Sequence, residues 1–393
     1  MNRSLEPSVD RATRPPVGLL ATGAGLTVAG IYYNQPILPT IASELHASSA
    51  QVGYVPMLTQ LGYAAGIVLF APIGDRFERR RVIVAKSIAL VLALLGAAAA
   101  PSIVTLCAAS LLIGLFATTA QDFVPAAAAM APPATRGKIV GSVMTGLLLG
   151  ILLSRFVSGA AAEQVGWRFV FGGAAVTVAA LAVVSRARLP AFPPTASESY
   201  GALLLSMVKL ARELPALRRA ALSQALLCIA FSGFWSTLSL ELSSAHYGMG
   251  STAAGAFGLA GAAGALAAPL AGAFADKRSP AMVIRIGALL VVASFVMMAL
   301  WQASLPVLIA GTIAFDLGVQ SCLISHQTII YGLAPEARSR VNAILVSTMF
   351  VGMAGGAAIA SQAFARYGWT GVTVNGVIAA TLALIVRLLP GAQ

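Results

Sequence analysis

Twelve apolar stretches, each long enough to cross a bilayer, constrain this chain more than any other feature of its sequence. A membrane-spanning helix needs roughly 20 mostly apolar residues. Stretches of that length begin near Val17, Gln51, Val82, Ile103, Ile139, Trp167, Ala220, Thr252, Met282, Leu305, Val341 and Trp369. With 58% apolar and 10% charged residues and a mean hydropathy of +0.87, too little polar surface remains for a water-soluble globule. The sequence therefore predicts an all-α membrane protein with 12 transmembrane helices.

The placement of basic residues predicts the orientation of the chain. All but three of the 25 Lys and Arg residues fall before the first span or after an even-numbered one, five of them between Arg76 and Lys86. The exceptions are Arg155, Arg168 and Arg366. Because cytoplasmic loops carry the excess of Lys and Arg, both termini are expected in the cytoplasm, with the chain in the inner (plasma) membrane. The net charge of +12 is explained by topology and does not indicate a nucleic-acid partner.

A weak internal repeat divides the chain into two halves. Asp75-Arg76 matches Asp276-Lys277 and Gly166-Trp167 matches Gly368-Trp369, at an offset of 201 to 202 residues. Six spans return each half to the same side, so the two six-helix repeats are parallel, with the solute site expected between them. The predicted segments are a cytoplasmic tail (1–16), an N-terminal bundle (17–188), a linker with an amphipathic helix (189–219), a C-terminal bundle (220–388) and a second cytoplasmic tail (389–393).

The loop after the second span carries a recognisable motif. It reads Ala71-Pro72-Ile73-Gly74-Asp75-Arg76-Phe77-Glu78-Arg79-Arg80 and resembles the G-x-x-x-D-R-x-G-R-R loop of the major facilitator superfamily, with Ala71 and Glu78 in place of two glycines. A degenerate copy follows the eighth span. The run from Tyr32 to Pro36 is similar to a bacterial subgroup of drug, sugar and nucleoside efflux permeases. The resemblance implies the major facilitator fold and a bacterial transporter.

Three glycines of the fifth span fit part of a motif that resembles antiporters of that superfamily, G-x8-G-x3-G-P-x2-G-G. Gly137, Gly146 and Gly150 have its spacing, but Ile151, Ser154 and Arg155 replace its proline and final glycines. The same glycines could serve only to let helices pack closely.

The loop motif and its copy predict a conformational latch. A carboxylate there can lie at a helix N-terminus or pair with Arg, and such a contact can break when the two halves rock. The alternative is that its arginines only anchor the membrane interface. The candidate latch residues are Gly74, Asp75, Arg76, Arg79, Arg80 and Asp276.

Ionisable residues inside the spans indicate the functional site, because a charge at mid-bilayer costs at least about 2.5–3.5 kcal/mol. Asp316 is the first candidate for proton coupling or for pairing with substrate, against a permanent structural pair. Asp122 lies nearer the cytoplasmic surface, where a gate role is as plausible as substrate contact. Arg155 requires a partner, which could be Asp316, backbone carbonyls or an anionic substrate. His326 is a further proton-coupling candidate, against a role as a hydrogen-bonding wall residue.

Neutral polar and aromatic side chains complete the predicted binding site. Four of them are consecutive in the first span and cannot all face one way at 100° per residue. The candidates for substrate binding are Tyr32, Tyr33, Asn34, Gln35, Gln60, Arg155, Trp235, Asp316 and Gln320.

These residues favour a secondary active transporter of a small organic solute that works by alternating access, with proton-coupled efflux as the leading hypothesis. The alternative is an organic-anion importer in which Arg155 clamps a carboxylate. A non-transporting sensor and a membrane-embedded enzyme are remote alternatives, the latter because His46, His246 and His326 are scattered. No phosphate-binding G-x-x-x-x-G-K-[ST] motif occurs in the sequence. We expect no catalytic residue, metal or cofactor, a proton gradient as the energy source, lipid and solute as partners, and a monomer.

Overall fold

A computed structural model describes residues 15–192, 199–277 and 279–389, except for the side chains of residues 71, 72, 75, 133 and 265–277. Most of both predicted tails, part of the linker, and the side chains of the latch candidates Asp75 and Asp276 lie outside the described residues. Within the described part of the chain, the secondary structure is helical, with no strand.

The first half crosses the membrane six times. Several of these crossings consist of two helices with a break between them. Proline removes a helical N–H, and a β-branched or glycine residue weakens the local helix. Its helices are α1 (Val17–Ala29), α2 (Leu38–Glu44), α3 (Ser49–Val52), α4 (Tyr54–Arg76), α5 (Arg79–Ala98), α6 (Ile103–Ala117), α7 (Ala120–Met130), α8 (Arg136–Val165) and α9 (Trp167–Arg188).

A short helix separates this half from the second one. The helices are α10 (Tyr200–Glu213), then α11 (Pro215–Leu242), α12 (Ser251–Lys277), α13 (Pro280–Leu300), α14 (Leu305–Leu333) and α15 (Arg338–Leu388). Gly368 has φ 59° and divides α15 into two crossings. Nine of the described helical stretches are long and apolar enough to span a bilayer. One of these nine is α15, which Gly368 divides into two crossings. Together with α1–α2 and α12, which are not among the nine, this is consistent with the twelve predicted crossings in two six-helix repeats.

The two halves repeat each other in detail. Gly166, at φ 90°, precedes α9 just as Gly368 precedes the last crossing, and both take backbone angles that favour glycine. A 3₁₀ turn that begins at a proline precedes both α8 (Pro133–Thr135) and α15 (Pro335–Ala337). These turns stand at the same place in each six-helix unit, as the sequence repeat predicts.

Close packing of α8 on α1 recurs as packing of α15 on α11. A Cβ added at Gly146 would come within 2.5 Å of the Ala21 carbonyl oxygen, and Gly150 lies against the backbone of Gly25. Gly352 and Gly356 meet the backbone of α11 in the same way. The glycines of the fifth span therefore serve helix packing, although nothing lies within 4 Å of a Cβ at Gly137.

Twelve crossings return the chain to the side where it began, which we call the terminal face; the opposite side is the far face. At the far face the halves touch. The Thr252 N–H of α12 donates to Glu163 of α8 (2.9 Å), Thr40 and Ser251 hydroxyls are 3.4 Å apart, and Gln362 donates to Tyr54 (3.2 Å). The pathway between the halves is therefore closed at the far face.

The linker helix α10 connects the halves at the terminal face. The Tyr200 hydroxyl donates to the Leu69 carbonyl of α4 (3.0 Å), and Arg340 of α15 donates to the Ser206 hydroxyl (3.0 Å). Ser199 caps the helix by accepting the Ala202 N–H. α10 thus lies within the predicted amphipathic linker and contacts both bundles.

Candidate functional site

The helix of the first crossing is broken between α1 and α2. Pro39 has no N–H, so the Gln35 carbonyl lacks the helical donor it would otherwise have. The Ser239 hydroxyl of α11 donates to that carbonyl at 2.7 Å. Broken helices at membrane depth are tolerated where another part of the protein satisfies the freed backbone group. Here the donor comes from the other half, so the break also joins the two bundles.

Arg155 of α8 is buried beside this break and is held rigidly. Its Nε donates to Gln35 Oε1 at 2.7 Å. Its guanidinium carbon lies 4.5 Å from the ring centroid of Tyr32 and 4.4 Å from that of Trp235. Contacts of this kind stabilise a cation by about 2 kcal/mol or more when it is desolvated. Because Tyr32 belongs to the first half and Trp235 to the second, the arginine sits at the boundary between the bundles.

Asp316 of α14 faces the same boundary from the second half. Its side chain is buried, and its charge interacts with that of Arg155, although the two form no direct ion pair among the described contacts. The indole N–H of Trp235 faces this carboxyl outside hydrogen-bonding geometry. Gly261 of α12 packs closely against both this carboxyl and Trp235, since a Cβ there would come within 2.5 Å of Asp316 Oδ2 and 2.7 Å of the indole ring. The acid and the arginine are therefore neighbours that remain separate.

Polar atoms without partners gather around Arg155 and Asp316. An unsatisfied buried polar group costs about 1–3 kcal/mol, so a cluster of them calls for an explanation. Among the described residues, the unpartnered buried atoms that these contacts bring together include Arg155 Nη2, Gln35 Nε2, Trp235 Nε1 and Asp316 Oδ2. We call this group of four residues, together with Tyr32, the central cluster.

The other candidate side chains make contacts of their own. Asn34 donates to Thr59 (3.2 Å), and Gln60 accepts from Ser232 of α11 (2.9 Å). Tyr33 packs into an apolar cluster and lines a groove between α1 and α8, away from the side that carries Tyr32. Gln320 is half-buried one helical turn beyond Asp316.

His326 belongs to a separate part of α14. Its Nδ1 is hydrogen-bonded to Gln224 Oε1 of α11 at 2.9 Å, and both side chains are buried. This contact lies within the second half and matches the expected wall-residue geometry.

A buried ion pair near the terminal face was not predicted. Lys86 Nζ lies 2.6 Å from Asp122 Oδ2, and the ammonium also lies over the Phe70 ring at 4.9 Å. Lys86 was counted with the basic residues that follow the second span, whereas α5 begins at Arg79 and carries Lys86 into the bundle. Its position within an otherwise apolar run was the available signal.

The ion pair borders a cavity of about 250 Å³ that is lined by residues of both halves. Gly74 of the loop motif lines it, and Arg79 donates to the Gly74 carbonyl (3.2 Å). Ser339 and Asn342, at the start of α15, form the opposite wall. Asp122 thus lines a cavity between the halves, and its gate role stays a prediction.

The remaining described residues of the predicted latch tie the loop to its surroundings. Arg80 donates to the Leu189 carbonyl at the end of α9 (3.2 Å) and pairs with Glu78 (3.1 Å), while Arg76 is exposed. Glu78, which replaces a glycine of the motif, also pairs with Arg81. The acid therefore organises the arginines of its own loop.

Two parallel helical bundles with a buried polar cluster at their boundary define a membrane transport protein. The model of the Major Facilitator Superfamily matches residues 20–299 and 220–392, and the chain belongs to that family. It is 38% identical over 367 residues to the uncharacterized transporter YgaY of Escherichia coli O157:H7, covering 93% of this chain and 92% of that one.

The chain is also similar to an efflux pump over part of its length and to a solved transporter structure in its fold. It is 30% identical over 153 residues to the multi-drug resistance efflux pump PmrA of Streptococcus pneumoniae serotype 4, covering 38% of each chain. The solved structure of a bacterial homolog of the human lysosomal transporter Spinster, inward-facing and occupied, aligns with a TM-score of 0.74 at 15% identity, over 94% of each chain. At that identity the likeness shows the fold alone.

Proposed function

We propose that this transporter exports a small polar organic solute across the plasma membrane in exchange for protons. The central cluster carries the proposal, because Arg155 and Asp316 come from different halves and each presents an unpartnered polar atom at their boundary. A solute bound there contacts both bundles and can therefore be exposed to either side as they rock. The efflux activity in the name of PmrA supports the direction.

Asp316 is the proton-coupling residue of the proposal. A buried carboxyl can be occupied by a proton or by a positively charged or hydrogen-bonding group of the solute, and competition between the two links their movements. Asp122 is already paired with Lys86, and His326 is bonded to Gln224, so neither shares the central cluster.

With both termini in the cytoplasm, the far face is the outer face, and the structure corresponds to a state closed to the outside. The loop motif and the Lys86–Asp122 pair then lie at the inner gate. The latch of Gly74, Asp75, Arg76, Arg79, Arg80 and Asp276 remains part of the proposal. We infer a monomer that uses only the proton gradient and binds no cofactor.

The unpartnered Nη2 of Arg155 favours one second candidate, an organic-anion importer in which Arg155 clamps a carboxylate. Asp316 opposes it, since an anion bound at Arg155 is also close to a second acid. Charge preference separates the two functions.

Proteoliposomes with an internal pH indicator test the proposal. Sugars, nucleosides, amino acids, organic anions and lipophilic cations are added in turn to vesicles that hold a pH gradient. The proposal predicts that one class of polar solute moves protons against its own direction of travel. Proton movement in the same direction as an organic anion would establish the importer, and solute movement without protons would overturn the coupling.

A further inference from the structure

We propose that the solute is a small zwitterion whose carboxylate binds Arg155 and whose ammonium binds Asp316. This rests on the proposed function and assigns a substrate class to the same site. The central cluster offers both signs of charge within the reach of one small molecule, because Arg155 and Asp316 both adjoin the side chain of Trp235.

The arginine end is built to accept a carboxylate. Arg155 Nη2 and Gln35 Nε2 are buried N–H donors without partners, and they lie on two side chains already joined by a hydrogen bond. Arginine presents donors in a planar fork that matches a carboxylate. The rings of Tyr32 and Trp235 hold that fork in place, so little conformational freedom is lost when an anion binds.

The aspartate end is built to accept a donor. Asp316 Oδ2 is a buried acceptor without a partner, and it lies beside Trp235, whose ring also contacts Arg155. An ammonium carries three N–H donors, and a charge-assisted hydrogen bond to a carboxylate is about twice as strong as a neutral one. A primary ammonium would thus supply the donor that Asp316 Oδ2 lacks.

Pairing of both groups selects the zwitterion over singly charged solutes. In the bound state ionised Arg155 and Asp316 together are neutral, and a zwitterion keeps the buried site neutral while it pairs both charges. A monoanion pairs only with Arg155 and leaves the Asp316 carboxyl without a donor from the ligand. A monocation pairs only with Asp316 and leaves Arg155 without an anion, and a neutral solute offers neither group an opposite charge.

The same arrangement gives proton exchange. With the site empty, Asp316 carries a proton. When the zwitterion binds, the O–H bond of that carboxyl breaks, the proton leaves to water at the terminal face, and the carboxylate pairs with the ammonium. At the far face a proton binds Asp316 and displaces the ammonium. One zwitterion thus moves outward for one proton inward.

Thermal stabilisation of the purified protein tests the substrate class, because a ligand that binds only the folded state raises its melting temperature. The probes are the proteinogenic amino acids and a matched five-carbon set of norvaline, 5-aminopentanoate, pentanoate, pentylammonium and pentanamide. We expect at least one zwitterion to stabilise the protein, with a tenfold or greater affinity advantage over pentanoate, pentylammonium and pentanamide. A weakly buffered sample should release one proton per zwitterion bound.

Two variants make the result specific. Arg155→Gln should lose the zwitterion response and bind pentylammonium more tightly than the wild type does. Asp316→Asn should lose the zwitterion response and the proton release, and should bind pentanoate at least as tightly as the wild type does. Binding of the opposite probe shows that each variant is folded. Exposed Glu213→Gln is the control and should respond as the wild type does.

Each other outcome is decisive. If no zwitterion stabilises the protein, or if a singly charged or neutral probe binds as tightly as the best zwitterion, the substrate class is overturned. If a singly charged or neutral probe binds as tightly as the best zwitterion, and its binding releases a proton in the wild type but not in Asp316→Asn, the proposed exporter still stands. Zwitterion binding without proton release would instead support the substrate class and overturn the proton coupling.

Discussion

The buried pair of Lys86 and Asp122 allows a quantitative prediction. The Nζ–Oδ2 distance is 2.6 Å, and the two side chains are only 6% and 10% exposed. Removal of one partner from such a pair leaves an uncompensated buried charge and costs about 3–5 kcal/mol, whereas replacement of both is often close to neutral. We therefore expect Lys86→Met and Asp122→Asn each to lower the free energy of unfolding by about 3–5 kcal/mol. The double variant should cost much less than the sum.

Unfolding by SDS in mixed micelles measures the four proteins of this double-mutant cycle. The coupling energy should be at least about 2 kcal/mol, within the range for residues in direct contact. The exposed pair of Lys209 and Glu213, 3.8 Å apart, is the control, and its cycle should give about 0.3–0.5 kcal/mol. Single variants that cost less than about 1 kcal/mol, or additive losses, would refute the buried-pair reasoning.

Three further predictions follow from other contacts. Gly150→Leu should lower the free energy of unfolding by about 1–3 kcal/mol because it drives α8 from α1. Gly173→Leu, where an added Cβ meets nothing within 4 Å, should leave the free energy of unfolding unchanged, and equal effects of the two variants would contradict the packing account. Since Glu163 caps α12 from the other half, Glu163→Gln should slow disulfide formation between cysteines placed at Thr40 and Ser251, and an unchanged rate would exclude the cap as a latch. His326→Asn should leave the pH dependence of transport unchanged, and loss of that dependence would return His326 to the coupling pathway.

The architecture was predictable because it rests on long-range periodicity. Apolar length indicates the crossings, and the pairs Gly166-Trp167 and Gly368-Trp369 mark equivalent turns in both halves. These signals are visible in the amino-acid sequence alone because each lies within one crossing or repeats at a fixed offset.

Contacts between crossings were less predictable. Asp122 and Lys86 are far apart in sequence, and nothing in either segment specifies that α5 and α7 bring them together. Tyr32 faces Arg155 whereas Tyr33 packs away from it, and this difference depends on how the chain turns between α1 and α2. Which residues of the central cluster contact one another depends on how the two halves pack together.

The most direct test of proton-coupled export compares carboxyl variants of Asp316 in oriented proteoliposomes. With the solute that stabilises the wild type, accumulation driven by an imposed pH gradient should be abolished in Asp316→Asn and partly retained in Asp316→Glu, which keeps a titratable carboxyl. Exposed Glu213→Gln should accumulate solute as the wild type does. Gradient-driven accumulation by Asp316→Asn at the wild-type rate would contradict the central role of this residue.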